Sequence, residues 1–290
     1  MTKIIEFNKK NFEQIKINDD QLILCEFNNN SSNQVVFSYL INELKKQYNC
    51  KCLAYQNIER LSLINKIKFY LQKYLNYKNF SIYRSFNVDD FFLTSNNKGI
   101  IHKSNLKYQE IINLIKSKND LLNLRIEDIH IGDLIYDTYL KRFEKPTVEI
   151  NDQNFLNLLK ISLQNFFFWK NFFTKNKVCC FVISDTTYIS SIVIRIAAAK
   201  NIKIFQCNWD NIHKIDQLNL NAYGKYKFYK KDFEKLTDNQ KKIALKKAEV
   251  SIKKNIMTDD DINSNVFFSN SLGVSKTTFH RDFTSKDVLK

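Results

Sequence analysis

The first strong feature of the chain is a short apolar run at residues 21–27 (QLILCEF), followed by a polar cluster, Asn28-Asn-Asn-Ser-Ser-Asn33. Beyond the cluster, Val36, Leu40 and Leu44 recur at helical spacing, with Phe37 and Ile41 beside them. The run predicts a strand buried on both faces, and the spacing predicts an amphipathic helix ending near Tyr48. Ser31, Ser32 and Asn33 are its candidate N-caps. A second strand at 51–55 follows. Strand, loop, helix and strand within so few residues make a βαβ unit, which requires a parallel sheet.

The pattern repeats further on. Residues 177–184 (KVCCFVIS) predict a fully apolar strand, 185–188 (DTTY) a short polar turn, 189–200 a helix closed by Asn201, and 202–206 (IKIFQ) the next strand. Between the two units, residues 59–76 and 105–117 read as helices, Phe80–Tyr83 and Gly99–His102 as weak strands. Residues 152–174 form the longest helix, its wide apolar face carried by Phe155, Leu159, Leu163, Phe166, Phe167, Trp169 and Phe173. The expected architecture is α/β: a Rossmann-like parallel sheet flanked by helices over 1–224, a basic helical segment over 225–258, and a weakly patterned tail over 259–290 that includes Gly273 and His280.

Composition narrows the function. The net charge is +15, but only six of the 45 basic residues are arginine, against 36 asparagines, four glycines and one proline in 290 residues. Nucleic-acid readers favour the bidentate guanidinium, so this Lys/Asn-rich profile argues against nucleic acid and fits codon bias on a solvated surface. Residues 225–254 carry eleven Lys against four acids, a candidate contact with anionic membrane. No stretch is long and apolar enough to span a bilayer, and the first residues lack the apolar core of a signal peptide. A cytoplasmic protein, peripheral at the inner face of the membrane if the basic helix meets lipid, is the expectation. The six cysteines lack zinc spacing and read as reduced and buried.

Two segments could carry chemistry. In an open α/β sheet ligands bind at the carboxyl ends of the strands, which brings forward Asn28 and Asn29 after the first strand, and Ser184, Asp185, Thr186, Thr187 and Tyr188 after the strand at 177–184. Asp185 is a candidate general base. The alternative is that Asp185 or Thr186 caps the following helix. The segment Gly132-Asp-Leu-Ile-Tyr-Asp-Thr-Tyr139 places Asp133 and Asp137 on one helix face with Tyr136 and Tyr139 nearby. Acids with aromatic platforms suit a sugar site. A solvated acidic face over buried tyrosines is the other reading. Glycine-rich nucleotide loops, the GxSxG elbow and HExxH are all missing.

Three stretches, IHIGDLIYDTYLKRFEKPTV (129–148), VISDTTYISSIVIRIAAAKNIKIFQ (182–206) and YKFYKKDFEKLTDNQKKIA (226–244), together resemble the N-terminal half of bacterial surface-carbohydrate, or capsule polysaccharide, biosynthesis proteins. The resemblance implies one half of a GT-B-like glycosyltransferase. It would transfer a sugar from a nucleotide-sugar to a glycan or lipid-linked acceptor without a metal or other cofactor. It assigns Asp185, Asp137 and Asp133 to catalysis, with Asp185 or Asp137 deprotonating the acceptor hydroxyl. Tyr136, Tyr139, Ser184, Thr186, Thr187, Tyr188, Asn28 and Asn29 would bind substrate. No second Rossmann-like half is read after the basic helix, so the chain is expected to be a truncated or split acceptor half, or a half whose donor-binding partner is a separate chain, or a non-catalytic relic. A non-catalytic Rossmann-like binding module is the alternative, and a basic nucleic-acid binder the third.

Overall fold

The computed structural model describes residues 2–13, 15, 17, 19–57, 63–95, 97–207, 211–220 and 229–257. The tail beyond 257, with Gly273 and His280, lies outside them. The chain divides into two compact units, Met1–Gly224 and Lys225–Lys290.

In the first unit the order is α1 (Thr2–Asn11), β1 (Asp19–Glu26), α2 (Ser31–Tyr48), β2 (Cys50–Gln56), α3 (Leu63–Tyr74), α4 (Asn79–Ser85), β3 (Asp90–Leu93), α5 (Lys98–Ile112), α6 (Lys118–Leu122) and the small hairpin β4 (Arg125–Ile126) and β5 (Ile129–His130). Then come α7 (Gly132–Phe143), α8 (Gln153–Lys175), β6 (Val178–Ile183), a 3-10 turn (Ile189–Ser191), α9 (Ile192–Ala199), β7 (Lys203–Cys207) and β8 (Ile212–Ile215). Six strands form one sheet in the order β3-β2-β1-β6-β7-β8. All pairings are parallel except β7 with β8. This is the mixed α/β, Rossmann-like architecture that the two βαβ patterns predict.

Strand alternation builds the core. Leu24, Phe181 and Ile183 point to one face, where α5, α7, α8 and α9 supply Ile111, Ile135, Trp169 and Ile196. Ile23, Cys25, Cys180 and Val182 point to the other, against Phe37 and Ile41 of α2 and Tyr83 of α4. Cover on both faces is why Leu22–Cys25 of β1 and Val178–Ile183 of β6 are apolar at consecutive positions rather than alternating. All six cysteines are free and five are buried. A buried ion pair pins α2 to the start of β3: Lys45 Nζ donates to Asp89 Oδ2 at 2.7 Å and to Asn87 O at 2.8 Å, while Cys52 N donates to the same Asp89 oxygen at 2.7 Å.

Several local expectations are corrected. Phe80–Tyr83 lies in α4, where Phe80 joins Phe27, Phe69 and Phe91 in an aromatic cluster. A four-residue apolar run has no period long enough to separate strand from helix. Gly99–His102 lies at the start of α5, because Asn97 accepts from Ile100 N at 2.9 Å and nucleates a turn. The helix expected at 105–117 is the second half of α5 and stops at Ile112; Ser117 instead caps a separate short helix, α6, exchanging bonds with Asp120. The cap of α2 is Asn30, one position before the candidates, accepting from Ser32 N and Asn33 N. In the second unit the expected single helix is two, α10 (Tyr229–Glu234) and α11 (Asp238–Met257). Thr237 and Gln240 bond reciprocally at the start of α11.

With glycine scarce, asparagine turns many of the corners. Asn49, Asn76, Asn87 and Asn201 all hold φ between 50° and 70°, the left-handed region that asparagine tolerates best after glycine. One glycine cannot be replaced. A Cβ on Gly132 would stand 1.8 Å from the Leu121 carbonyl oxygen and 2.9 Å from Leu124 N, both backbone atoms with no rotamer to yield. Gly132→Ala is therefore expected to destabilise the fold by about 3 kcal/mol. Chemical denaturation checks this, and an unchanged midpoint would refute it.

Candidate functional site

The sheet order places β1 and β6 side by side at the centre. From β1 the chain leaves through α2 toward β2 and β3, and from β6 through α9 toward β7 and β8. The two connections run apart, and the carboxyl ends of strands at such a switch point are where open α/β sheets bind ligands.

Glu26, the last residue of β1, organises this edge. Its Oε2 accepts from Ser184 N at 2.9 Å and from the Ser184 hydroxyl. Asn28 Nδ2 donates to Ser184 Oγ at 3.2 Å, and Gln206 Nε2 donates to Ser184 O at 3.1 Å. Glu26 pairs with Tyr55 across β1 and β2, and Ile183 pairs with Gln206 across β6 and β7. Glu26 and Gln206 thus flank Ser184 from the two neighbouring strands. Gln206 is 1% exposed. Its amide orientation is fixed, because the Ser184 carbonyl can only accept, and its own Oε1 has no hydrogen-bond partner among the described residues.

On the other side of the β1 loop lies an amide network. Tyr83 OH donates to Glu26 O at 2.9 Å and accepts from Asn28 N at 3.0 Å. Burial holds that phenol well above its ordinary pKa. Gln34 Nε2 donates to Asn28 O at 3.0 Å and Asn79 Oδ1 at 3.1 Å, and Asn79 in turn donates to Asn29 Oδ1. A cavity of about 240 Å³ opens beside it, with Phe27, Phe69 and Phe80 among its walls and Asn29, Lys68 and Lys78 at its polar rim.

The other expected site residues have local partners. Asp185 Oδ1 accepts from Thr187 N at 2.9 Å and Thr187 Oγ1 at 2.7 Å, closing a turn of the Asx type. Thr186 is buried. Tyr188 adopts φ 62° and ψ 178°, a region costly for any side chain, and its ring lies 4.3 Å from Lys141 Nζ. The next residue is tied to α7 by Ile189 N donating to Thr138 Oγ1 at 2.8 Å.

Asp133 does not join that group. Asp133 Oδ2 accepts from Arg195 Nη2 at 2.7 Å, and its Oδ1 lies 3.6 Å from His130 Nδ1. His130 Nε2 donates to Leu122 O. His130 and Arg195 line a cavity of about 270 Å³ with Ala198, Ala199 and Gln217. It opens toward the C-terminal end of α9, whereas Ser184–Tyr188 precede its N-terminal end. The Asp137 carboxyl is pushed up by desolvation and by Asp133, though the residue is exposed and solvent limits the effect. Tyr136 is buried with its ring 4.9 Å from Lys118 Nζ, whose hydrogen bond holds the phenol below its ordinary value. Tyr139 is fully buried, its OH donating to Asp152 Oδ2 at 2.6 Å. Asp152 also caps α8 through Asn154 N. Among the described residues no group of three His, Cys, Asp or Glu side chains could hold a metal ion.

Of the sequence candidates, the fold joins Asn28 to Ser184 directly and pairs Asp133 of α7 with Arg195 instead. Glu26, Gln206, Gln34, Asn79 and Tyr83 escaped the sequence reading. The available signal was a polar residue directly after an apolar run, at Glu26 after Leu22–Cys25 and at Gln206 after Ile204–Phe205.

Comparison with known proteins gives little more. No family model matches the chain, and no curated protein matches it. Among solved structures, a CDPS (cyclodipeptide synthase) from Fluoribacter dumoffii superposes with a TM-score of 0.35 at 13% identity, over 64% of this chain and 84% of that one. These findings overturn the glycosyltransferase expectation. The structural neighbour is not a glycosyltransferase or a capsule biosynthesis protein. The residue roles in sugar transfer rested on that resemblance and are not carried further. A superposition this loose does not lend the chain the neighbour's chemistry either.

The Tyr139–Asp152 bond gives a pH signature. The bond from Tyr139 holds the Asp152 carboxyl below its ordinary value. Its contribution is present above the unfolded value of about 4 and is lost as the pH falls through the lower folded value. Burial, then the bond to Asp152, pushes the Tyr139 phenol up to about 12. That contribution is present below the unfolded value of about 10 and is lost as the pH rises toward the folded one. Tyr139→Phe is expected to lower the urea midpoint at pH 7 and to flatten the fall in stability on both flanks. Midpoints at pH 3, 7 and 11 check this, and parallel curves for the two proteins would refute it.

Proposed function

We propose that the chain is a ligand-binding α/β module whose site is the β1–β6 edge, and that its ligand is a small polar molecule presenting an amino or hydroxyl donor. The observation that carries this is Gln206 Oε1, an acceptor buried without a partner among the described residues while the same amide is anchored on Ser184. Native proteins pair nearly all such groups, since each orphan costs about 1–3 kcal/mol. A donor reaching this oxygen would come close to Ser184 and the Glu26 carboxylate, which favours an amine or hydroxyl over an anion. The Ser184 hydroxyl is engaged on both sides, donating to Glu26 and accepting from Asn28, a positioning arrangement.

A thermal-shift panel of amines, polyols, amino acids and nucleosides tests the reading. A ligand at a hundred times its Kd stabilises by about 2.7 kcal/mol, a rise of several degrees in Tm. At least one class is expected to shift wild type and to lose most of that shift with Gln206→Leu or Glu26→Gln. No shift with any class, or equal shifts in all three proteins, would sink it.

A further inference from the structure

Helix α3 is amphipathic in the inverted sense. Only Phe69 of its residues is buried. Leu63, Ile64, Ile67, Tyr70, Leu71 and Tyr74 are 72%, 77%, 56%, 54%, 57% and 87% exposed. At 100° per residue these six fall within an arc of about 120°, with Phe69 on the far side. An apolar stripe of this size, turned wholly to solvent, marks a docking surface.

The charge around it selects the occupant. From 63 to 88 the chain carries Lys66, Lys68, Lys73, Lys78 and Arg84 and no Asp or Glu. Lys73 is paired with Asp90 at 2.7 Å, while Lys68 and Lys78 are exposed. A second copy of this surface would set like charges against like, with Asp90 already held by Lys73. An anionic bilayer supplies an apolar interior for the stripe and negative headgroups for the lysines, with tyrosines at the depth where aromatic side chains settle. Among the described residues no helix is long and apolar enough to cross a membrane, so this contact would lie in the interface.

We infer that α3 is a membrane-docking helix for anionic lipid. Its apolar face enters the headgroup boundary and its lysines meet the lipid charge. The contact is distinct from the lysine-rich segment 225–254, which has charge but no comparable stripe among its described residues.

Co-sedimentation of the full chain with vesicles tests this. Binding is expected to phosphatidylcholine vesicles containing phosphatidylglycerol, to weaken at 0.5 M salt as headgroup attraction is screened, and to be far weaker to phosphatidylcholine alone. Ile67→Gln with Leu71→Gln should reduce partitioning at least about tenfold with Tm unchanged, since both positions are exposed. Neutralising α11 through Lys241→Gln, Lys242→Gln, Lys246→Gln and Lys247→Gln should leave most of the binding. Three results would each overturn the inference. One is no binding to anionic vesicles. Another is binding lost in the α11 variant but kept in the α3 variant. The last is self-association by light scattering that the α3 variant abolishes, without vesicle binding.

Discussion

The pairing of β1 with β6 is the constraint on which the rest of this molecule depends. The two strands are far apart in sequence, yet their register sets Cys25 beside Val182 at the middle of the sheet. Both must be apolar on every residue they bury, because helices cover both faces. Their connections must diverge, because β2 and β7 take opposite flanks. A polar edge at the carboxyl ends is the result: the strands stop where apolar cover stops, and the first polar residues of each, Glu26 and Ser184, bond to one another. The architecture, the two-sided core and the location of the candidate site are three expressions of that one adjacency.

Much of the fold was legible because it rests on periodicity. β1, α2 and β2, and later β6, α9 and β7, show the change from strand to helical spacing within a few residues, and Asn201 marks the end of α9 as read. The failures share a cause. Phe80–Tyr83 is too short for its period to be measured, and its state was decided by Phe27 and Phe91, which a local window does not contain. β3 (Asp90–Leu93) and β8 (Ile212–Ile215) are short edge strands whose pairing partners, not their composition, make them strands.

The site was less legible than the fold, for a physical reason. Spacing shows that Asp133 and Asp137 share a helix face. It cannot show that Arg195, on another helix, has taken Asp133, or that Tyr139 is spent on the cap of α8. A carboxylate and a tyrosine close together in sequence look like a binding platform until their partners are known. Gln206 had the opposite fault: at the end of an apolar strand it looks like punctuation, and only the register across β6 and β7 reveals it beside Ser184.

The asparagines at the left-handed corners carry a consequence for the chain before it folds. Glycine at Asn49, Asn76, Asn87 and Asn201 would enter those corners with less steric resistance, but would also wander more widely in the denatured ensemble. A side chain there narrows what must be given up on folding, an effect of about 0.4–1 kcal/mol per position where the native angles are tolerated. Glycine poverty in this protein thus acts on the disordered side of the equilibrium, offsetting part of the strain its corners impose.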